Sequence, residues 1–169
     1  ALFFQGRTYD EILDPAAGSG SLLEACMDLI DRETKLSAVE IDEDLIDILI
    51  DKGFDTSYMN FFDFDRRVDG IIMNPPYIRQ ELLTSENNKD ILRKKIKFKN
   101  INSRSNLYLY FLLKGLDIVK EGGRVVAILP NTWLNSEYGV SVQKHILNKY
   151  SLVSVIDFEK NVFKGVDVD

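Results

Sequence analysis

Asn74-Pro75-Pro76-Tyr77 brings an amide side chain, free carbonyls and an aromatic ring together within four residues. Neither proline can donate a backbone hydrogen bond, so the carbonyls of Asn74 and Pro75 are left to accept from a ligand. Pro76 biases Pro75 toward extended geometry, which fixes where those carbonyls point. Such a turn can grip a planar group that offers an amino N–H. The same residues also read as an ordinary turn, because Asn-Pro and Pro-Pro are both common turn formers.

Further residues with chemical potential lie at similar breaks in the apolar pattern. Asp14-Pro15-Ala16-Ala17-Gly18-Ser19-Gly20 is small throughout, and glycines at 18 and 20 let the backbone approach a ligand closely, with free N–H groups of the next helix pointing into the same space. It also reads as a tight strand-to-helix turn, and it lacks the third glycine of the dinucleotide fingerprint. Glu40 follows Gly20 at about the distance at which nucleotide-binding units place a carboxylate on ribose hydroxyls. Asp42, nearby, reads as the N-cap of a helix. Asp63-Phe64 sets an acceptor beside a ring, the pair a bound adenine requires, whereas Phe61 and Phe62 read as core. Arg93, Lys94, Lys95, Lys97 and Lys99 crowd into seven residues of a chain whose net charge is −6. That run is either a solvated face or a phosphate contact beside the Asn74 turn.

Strands and helices must deliver these groups. The pattern predicts strands at Glu11–Leu13, Leu36–Asp42, Asp55–Met59, a run ending at Met73, Arg124–Leu129 and Leu152–Phe158. Helices are predicted after Gly20, over Glu43–Lys52 with Gly53 as C-cap, over Asn106–Lys120 capped by Gly122-Gly123, and over Ser136–Tyr150. Residues 78–105 interrupt the pattern as a long basic insertion, functional or disordered. Strand-helix alternation means an α/β chain, a mostly parallel sheet with helices on both faces. All four prolines, at 15, 75, 76 and 130, follow predicted strand ends, where ligand crevices of open α/β sheets lie.

Length fits one domain, with 1–6 set aside as either native sequence or the remnant of a cleaved tag. Cys26 is the only cysteine, which excludes an intramolecular disulfide and a Cys-based zinc site and fits a reducing interior. His145 is the only histidine, which argues against a His-ligated metal or a Ser-His-Asp triad, so no metal is expected. No signal peptide opens the chain and no apolar run approaches the roughly 18 residues of a membrane span. A charge of −6 does not suit a free-standing nucleic-acid binder.

Together, Asp14 to Gly20, Glu40, Asp63-Phe64 and Asn74 to Tyr77 resemble the amino-group DNA methyltransferases, in the γ order with cofactor motifs ahead of the catalytic one. Asn106-Leu107-Tyr108, Gly122 to Asn131, Val155 to Phe158 and Val162-Phe163 are similar to the N6-adenine methyltransferase part of type IIG restriction-modification enzymes and related phage-defence methylases. The resemblance spans residues 11–168. It implies a Rossmann-like S-adenosylmethionine-dependent methyltransferase fold in a cytoplasmic prokaryotic enzyme. S-adenosylmethionine would be held by Asp14, Pro15, Ala16, Gly18 and Gly20 around its methionine part, by Glu40 on its ribose, and by Ile41, Asp63 and Phe64 around its adenine. An adenine swung out of double-stranded DNA would be held by Asn74 and Pro75, with Pro76 shaping the turn, and stacked on Tyr77, with Phe163 as a second aromatic.

The resemblance also leads to the expectation that residues 7–169 are a catalytic core without the upstream cofactor-closing segment. A C-terminal recognition domain, supplied in cis or as a separate specificity subunit, would also be missing, and the fragment itself would be weak or inactive. Two other readings stay open: methylation of a protein glutamine or an RNA guanine through the same turn, and a non-catalytic nucleotide-binding or specificity module.

Overall fold

The computed structural model describes residues 1–78 and 89–158. Strands β1 (Glu11–Asp14), β2 (Lys35–Glu40), β3 (Asp55–Tyr58), β4 (Val68–Met73) and β5 (Val119–Ala127) form a sheet in the order β3-β2-β1-β4-β5. Every neighbouring pair is parallel. The α-helices are α1 (Ser21–Met27), α2 (Ile46–Asp51), α3 (Lys89–Lys95), α4 (Leu107–Ile118) and α5 (Glu137–Lys149), together with short 3-10 turns.

Period-two alternation sends adjacent strand residues to opposite faces, so a strand covered on both sides carries a continuous apolar run where it is covered. β1 has such a run at Ile12 and Leu13, and β4 at Ile71, Ile72 and Met73. Leu13, Ile71 and Met73 pack with α4, Leu92 of α3 and Val142 of α5. Ile12 and Ile72 pack on the other face with Leu23 and Cys26 of α1 and Leu49 of α2. α4 is buried along nearly its whole length, including Lys114 and Asp117, as its continuous Leu, Tyr and Phe content requires.

The chain leaves β1 toward β2 and β3, then returns to lay β4 on the other side of β1. This reversal opens the crevice of a doubly wound sheet, beyond the carboxyl ends of the two central strands. Asp14 ends β1 and Asn74 follows β4, so the two turns are neighbours.

Several expectations need correction. Residues 151–158 form no strand, and Leu152, Val153, Val155, Ile156 and Phe158 are exposed. An apolar run specifies burial, but a strand also needs a ladder partner, and this run pairs with neither edge of the sheet. Gly122-Gly123 does not cap α4: Val119 turns extended, pairs with Val68, and the glycines lie in an irregular start to β5 before Gly70 pairs with Arg124. The Glu43–Lys52 helix starts as a 3-10 turn, Glu43–Leu45, with Asp42 capping it through its carboxylate on the Asp44 N–H. The 78–105 insertion contains a helix, α3, and sends Leu92, Ile96 and Ile101 into the core. Its apolar residues, overshadowed by the lysines, anchor the segment. Among the described residues no helix is long and apolar enough to cross a membrane.

Candidate active site

The glycine turn after β1 is held from both ends. Asp14 is 1 % exposed and accepts the Ala16 N–H at 3.1 Å. Ala17 N–H donates to the Val39 carbonyl, and Gly20 N–H closes back on the Ala17 carbonyl at 2.8 Å. Gly18 and Gly20 have φ of 54° and 88°, the left-handed region that L side chains avoid. At Gly20 a Cβ would also stand 2.7 Å from Phe54 Cε2, whereas at Gly18 it would meet no atom within 4 Å. The turn is thus tight against α2 and open on the crevice side at Gly18. Lys52 ties it down from outside, its ammonium on the Ser19 carbonyl at 2.8 Å and on Glu24 at 3.0 Å.

Glu40 joins this turn to the end of β2. Its carboxylate accepts main-chain N–H groups of Gly18 at 2.7 Å, Ile41 at 2.7 Å and Asp42 at 3.0 Å. With three donors on it and few lone-pair sites left, the carboxylate serves first as a brace for the turn. Burial lifts the neighbouring Asp14 carboxyl to about 7; the Ala16 N–H opposes that rise and the charge of Glu40 adds to it. Ile41 is 56 % exposed, an apolar side chain left at the crevice edge.

Asp63 and Phe64 stand apart from this network. Phe64 is buried against Phe61 with the Arg66 guanidinium over its ring. Asp63 is exposed and pairs with Lys95 at 2.5 Å, joining an expected cofactor ligand to an expected phosphate contact. The rest of the basic run also turns inward. Arg93 donates to the Ile101 carbonyl, the Lys97 main-chain N–H to the Asp117 carboxylate and its ammonium to the Asp117 carbonyl, and the Lys99 ammonium to the carbonyls of Arg93 and Ile96. Of the five cations only Lys94 has no hydrogen-bond or ion-pair partner among the described residues. Phe163 lies outside the described residues.

The second turn closes on itself. Pro75 is buried while Asn74, Pro76 and Tyr77 are half-buried. The Tyr77 hydroxyl donates to Asn74 Oδ1 at 2.5 Å, with the Ile128 carbonyl a second, more distant acceptor at 3.4 Å, and burial raises its pKa. The Ile128 N–H donates to the Met73 carbonyl at 2.9 Å, continuing the β4–β5 ladder beyond β5. Tyr108 meets the Tyr77 ring edge-on, with centroids 6.1 Å apart. Sequence reasoning gave Ile128 and Tyr108 no role; proline at 130 marked that strand end, but a main-chain contact leaves no mark in residue type. A cavity of about 670 Å³ lined by Arg7, Thr8, Tyr9, Asp69 and Glu121 sits at the amino ends of the strands and contains none of these groups.

The family description of the Eco57I restriction-modification methylases matches residues 18–163, most of the chain and all of the crevice beyond Gly18. The chain belongs to this family. It is 34% identical over 164 residues to the type II methyltransferase M.AccI of Acinetobacter calcoaceticus, covering 90% of this chain and 29% of M.AccI. Among solved structures it is similar to the methyltransferase subunit of a type I restriction-modification system from Streptococcus thermophilus, with a TM-score of 0.66 and 20% identity over 86% of this chain and 34% of that one. A protein from Listeria monocytogenes assigned as a class I S-adenosylmethionine-dependent methyltransferase gives a TM-score of 0.65 at 19% identity, over 86% of this chain and 46% of that one. The fold is therefore the Rossmann-like fold of these methyltransferases, and the chain spans less than half the length of each of these proteins.

Proposed function

We propose that this chain is the catalytic core of a DNA methyltransferase that modifies the N6 amino group of adenine, with S-adenosylmethionine as donor. One observation carries the reading: the Gly18 turn and the Asn74–Tyr77 turn adjoin at the sheet's switch point, with acceptors on one and a braced, open main chain on the other. The residues present fit the cofactor. Gly18 leaves open space where any other residue would put a side chain, Asp14 offers a buried carboxyl beside it, and Ile41 offers exposed apolar surface for a flat ring. When bound, S-adenosylmethionine supplies an electrophilic methyl group on a sulfonium.

The chain's own contribution is made at the amino nitrogen. An adenine amino group is a poor nucleophile because its lone pair is delocalised into the ring. Asn74 Oδ1 and the Pro75 carbonyl, accepting its two hydrogens, favour a more tetrahedral nitrogen with a localised lone pair. As positive charge develops on that nitrogen, the two partial negative charges stabilise it more than they stabilise the ground state. Asn74 Oδ1 already accepts an O–H, from Tyr77, so the group faces a donor. Target entry exchanges that bond for one from the base and frees the Tyr77 ring to stack on it. The nitrogen's surplus proton, strongly acidic because its loss lets the lone pair rejoin the ring, passes to solvent after transfer, so no ionisable side chain is needed there. DNA phosphate contact by the 93–99 run requires its internal bonds to be exchanged, with Lys94 ready as it stands.

The test is product analysis with isotopically labelled S-adenosylmethionine on adenine-containing DNA, on RNA and on protein. Label is expected in N6-methyladenine, and Asn74→Ala is expected to abolish it while calorimetric cofactor affinity stays within a factor of about two, as for a group acting only in the transition state. Label in guanine or glutamine, or undiminished transfer by Asn74→Ala, would overturn the reading.

A further inference from the structure

Tyr108 opens α4 and is completely buried. Where an aromatic only fills space, phenylalanine serves; a buried tyrosine hydroxyl has to find partners. Here they come from a different part of the chain. The Tyr108 hydroxyl lies 3.4 Å from Thr132 Oγ1 and 3.3 Å from the Tyr138 hydroxyl, and those two lie 3.4 Å from each other. Each distance exceeds the roughly 3.0 Å of an ordinary hydroxyl hydrogen bond, so each contact is weak, no single one dominates, and the three act as a triangle.

The triangle's corners belong to α4, to the 3-10 turn Asn131–Leu134 and to the first turn of α5. Gln143 binds that 3-10 turn to α5, its amide donating to the carbonyls of Trp133 and Leu134 at 3.0 Å each. The same stretch returns to the site through Ile128, whose carbonyl accepts from the Tyr77 hydroxyl. From the other side, the Leu107 N–H of α4 reaches the Ile78 carbonyl at 3.5 Å, and the Tyr108 ring stands at 89° to that of Tyr77. Tyr77 is therefore enclosed by a loop of contacts: its hydroxyl on Ile128, its ring on Tyr108, and the Tyr108 hydroxyl on the segment that carries Ile128.

We infer that Tyr108, fixed by Thr132 and Tyr138, is a positioning residue that sets the plane of the Tyr77 ring. The inference builds on the reading of Tyr77 as the platform for a target base. A base stacks on that platform only when the ring is presented at a defined angle, and Tyr77 itself hangs from a turn with no helix or strand of its own. The triangle supplies the missing rigidity from outside the turn.

The experiment measures Tyr77 directly. In chain labelled with ring-¹³C tyrosine, the Tyr77 signal is assigned by its loss in Tyr77→Phe and its ring-flip rate is followed by NMR. Tyr108→Phe and Thr132→Val each delete one hydroxyl and keep the side chain's shape. Each is expected to speed the Tyr77 flip about five- to tenfold, the scale of one ordinary hydrogen bond. The double variant should do little more than either single one, because both break the same unit. An unchanged flip rate in Tyr108→Phe, or two fully additive effects, would overturn the inference whatever the substrate is. With adenine-containing DNA, Tyr108→Phe should lower kcat/KM in the parent but not in a Tyr77→Ala background; an equal loss in both backgrounds also overturns it. Absence of adenine methylation by the full-length protein that carries this core would sink the functional reading alone, since the flip rate is read without substrate.

Discussion

Asp14 makes a stability prediction that runs against the usual behaviour of carboxylates. It is fully buried beside the glycine turn, accepts one N–H from Ala16, and has its carboxyl lifted from 3.8 to about 7, first by burial. A carboxyl whose folded pKa lies above its unfolded one binds its proton more tightly in the folded chain. Its favourable contribution is complete below pH 3.8 and is lost as pH rises through 7. The rise of about three units corresponds to about 4 kcal/mol in all, of which roughly 2.5 kcal/mol falls between pH 5 and 8. Asp14→Asn keeps the shape and the acceptor for Ala16 N–H but cannot ionise. Urea denaturation of parent and variant at pH 5, 6, 7 and 8, without cofactor, isolates the effect, because every other titrating group is shared. The difference in unfolding free energy should shift by roughly 2.5 kcal/mol in favour of the variant across that range. A difference that stays constant with pH would refute the assignment, since a neutral amide changes packing by the same amount at every pH. The same linkage bears on binding: a cationic ligand beside Asp14 would pull its proton off, so cofactor affinity should rise with pH near 7 in the parent and lose that dependence in Asp14→Asn.

Gly20→Ala combines a φ of 88° with a Cβ 2.7 Å from the Phe54 ring, and is expected to cost about 2 to 4 kcal/mol, read as a fall in urea midpoint without a change in m-value. Glu40→Ala strands the N–H groups of Gly18, Ile41 and Asp42, for which about 2 to 3 kcal/mol is expected, with cofactor affinity falling in parallel; preserved affinity at reduced stability would make Glu40 a brace alone. Lys95→Ala breaks an exposed pair with Asp63 and should change stability by less than about 1 kcal/mol. Because it frees the Asp63 carboxylate, it should tighten cofactor binding by calorimetry, and no change would remove Asp63 from the cofactor site.

What the amino-acid sequence discloses about this site follows from which forces are local. β1 and β4 are legible from the apolar pair and triplet they carry, which a strand covered on both faces needs, and their ends are legible because Pro15 and Pro75 stop the ladder. Parallel strands with short crossovers then leave few arrangements, and placing Asp14 beside Asn74 needs no knowledge of side-chain contacts. Gly18 and Gly20 are legible for the same reason, a backbone demand met by one residue type. What is not legible shares a different cause, the choice of partner. Asp63 and Lys95 are 32 residues apart and meet only because α3 folds back over the turn after β3, so neither residue's type announces that it is engaged. A carboxylate at the spacing of Glu40 can reach a ribose, but that three main-chain N–H groups also reach it is not legible, because backbone donors are invisible in a pattern of side chains. Residues 152–158 look like a strand on composition, yet composition cannot supply the ladder that makes one.

Tyr108 shows the same limit from inside the core. Within an apolar helix its burial is indistinguishable from that of its neighbours Leu107 and Leu109, all three being buried to within 2 %. Its hydroxyl asks for a polar partner, and which partner it finds depends on where Thr132 and Tyr138 come to rest after a whole strand has been laid between. A helix's burial pattern sets which face is covered, whereas the tertiary crossing sets which atom on that face has a partner. The site is thus built in two steps of unequal legibility. Backbone rules bring the two turns to one end of the sheet, and long-range contacts among Ile128, Tyr108 and Thr132 then fix how Tyr77 stands within it.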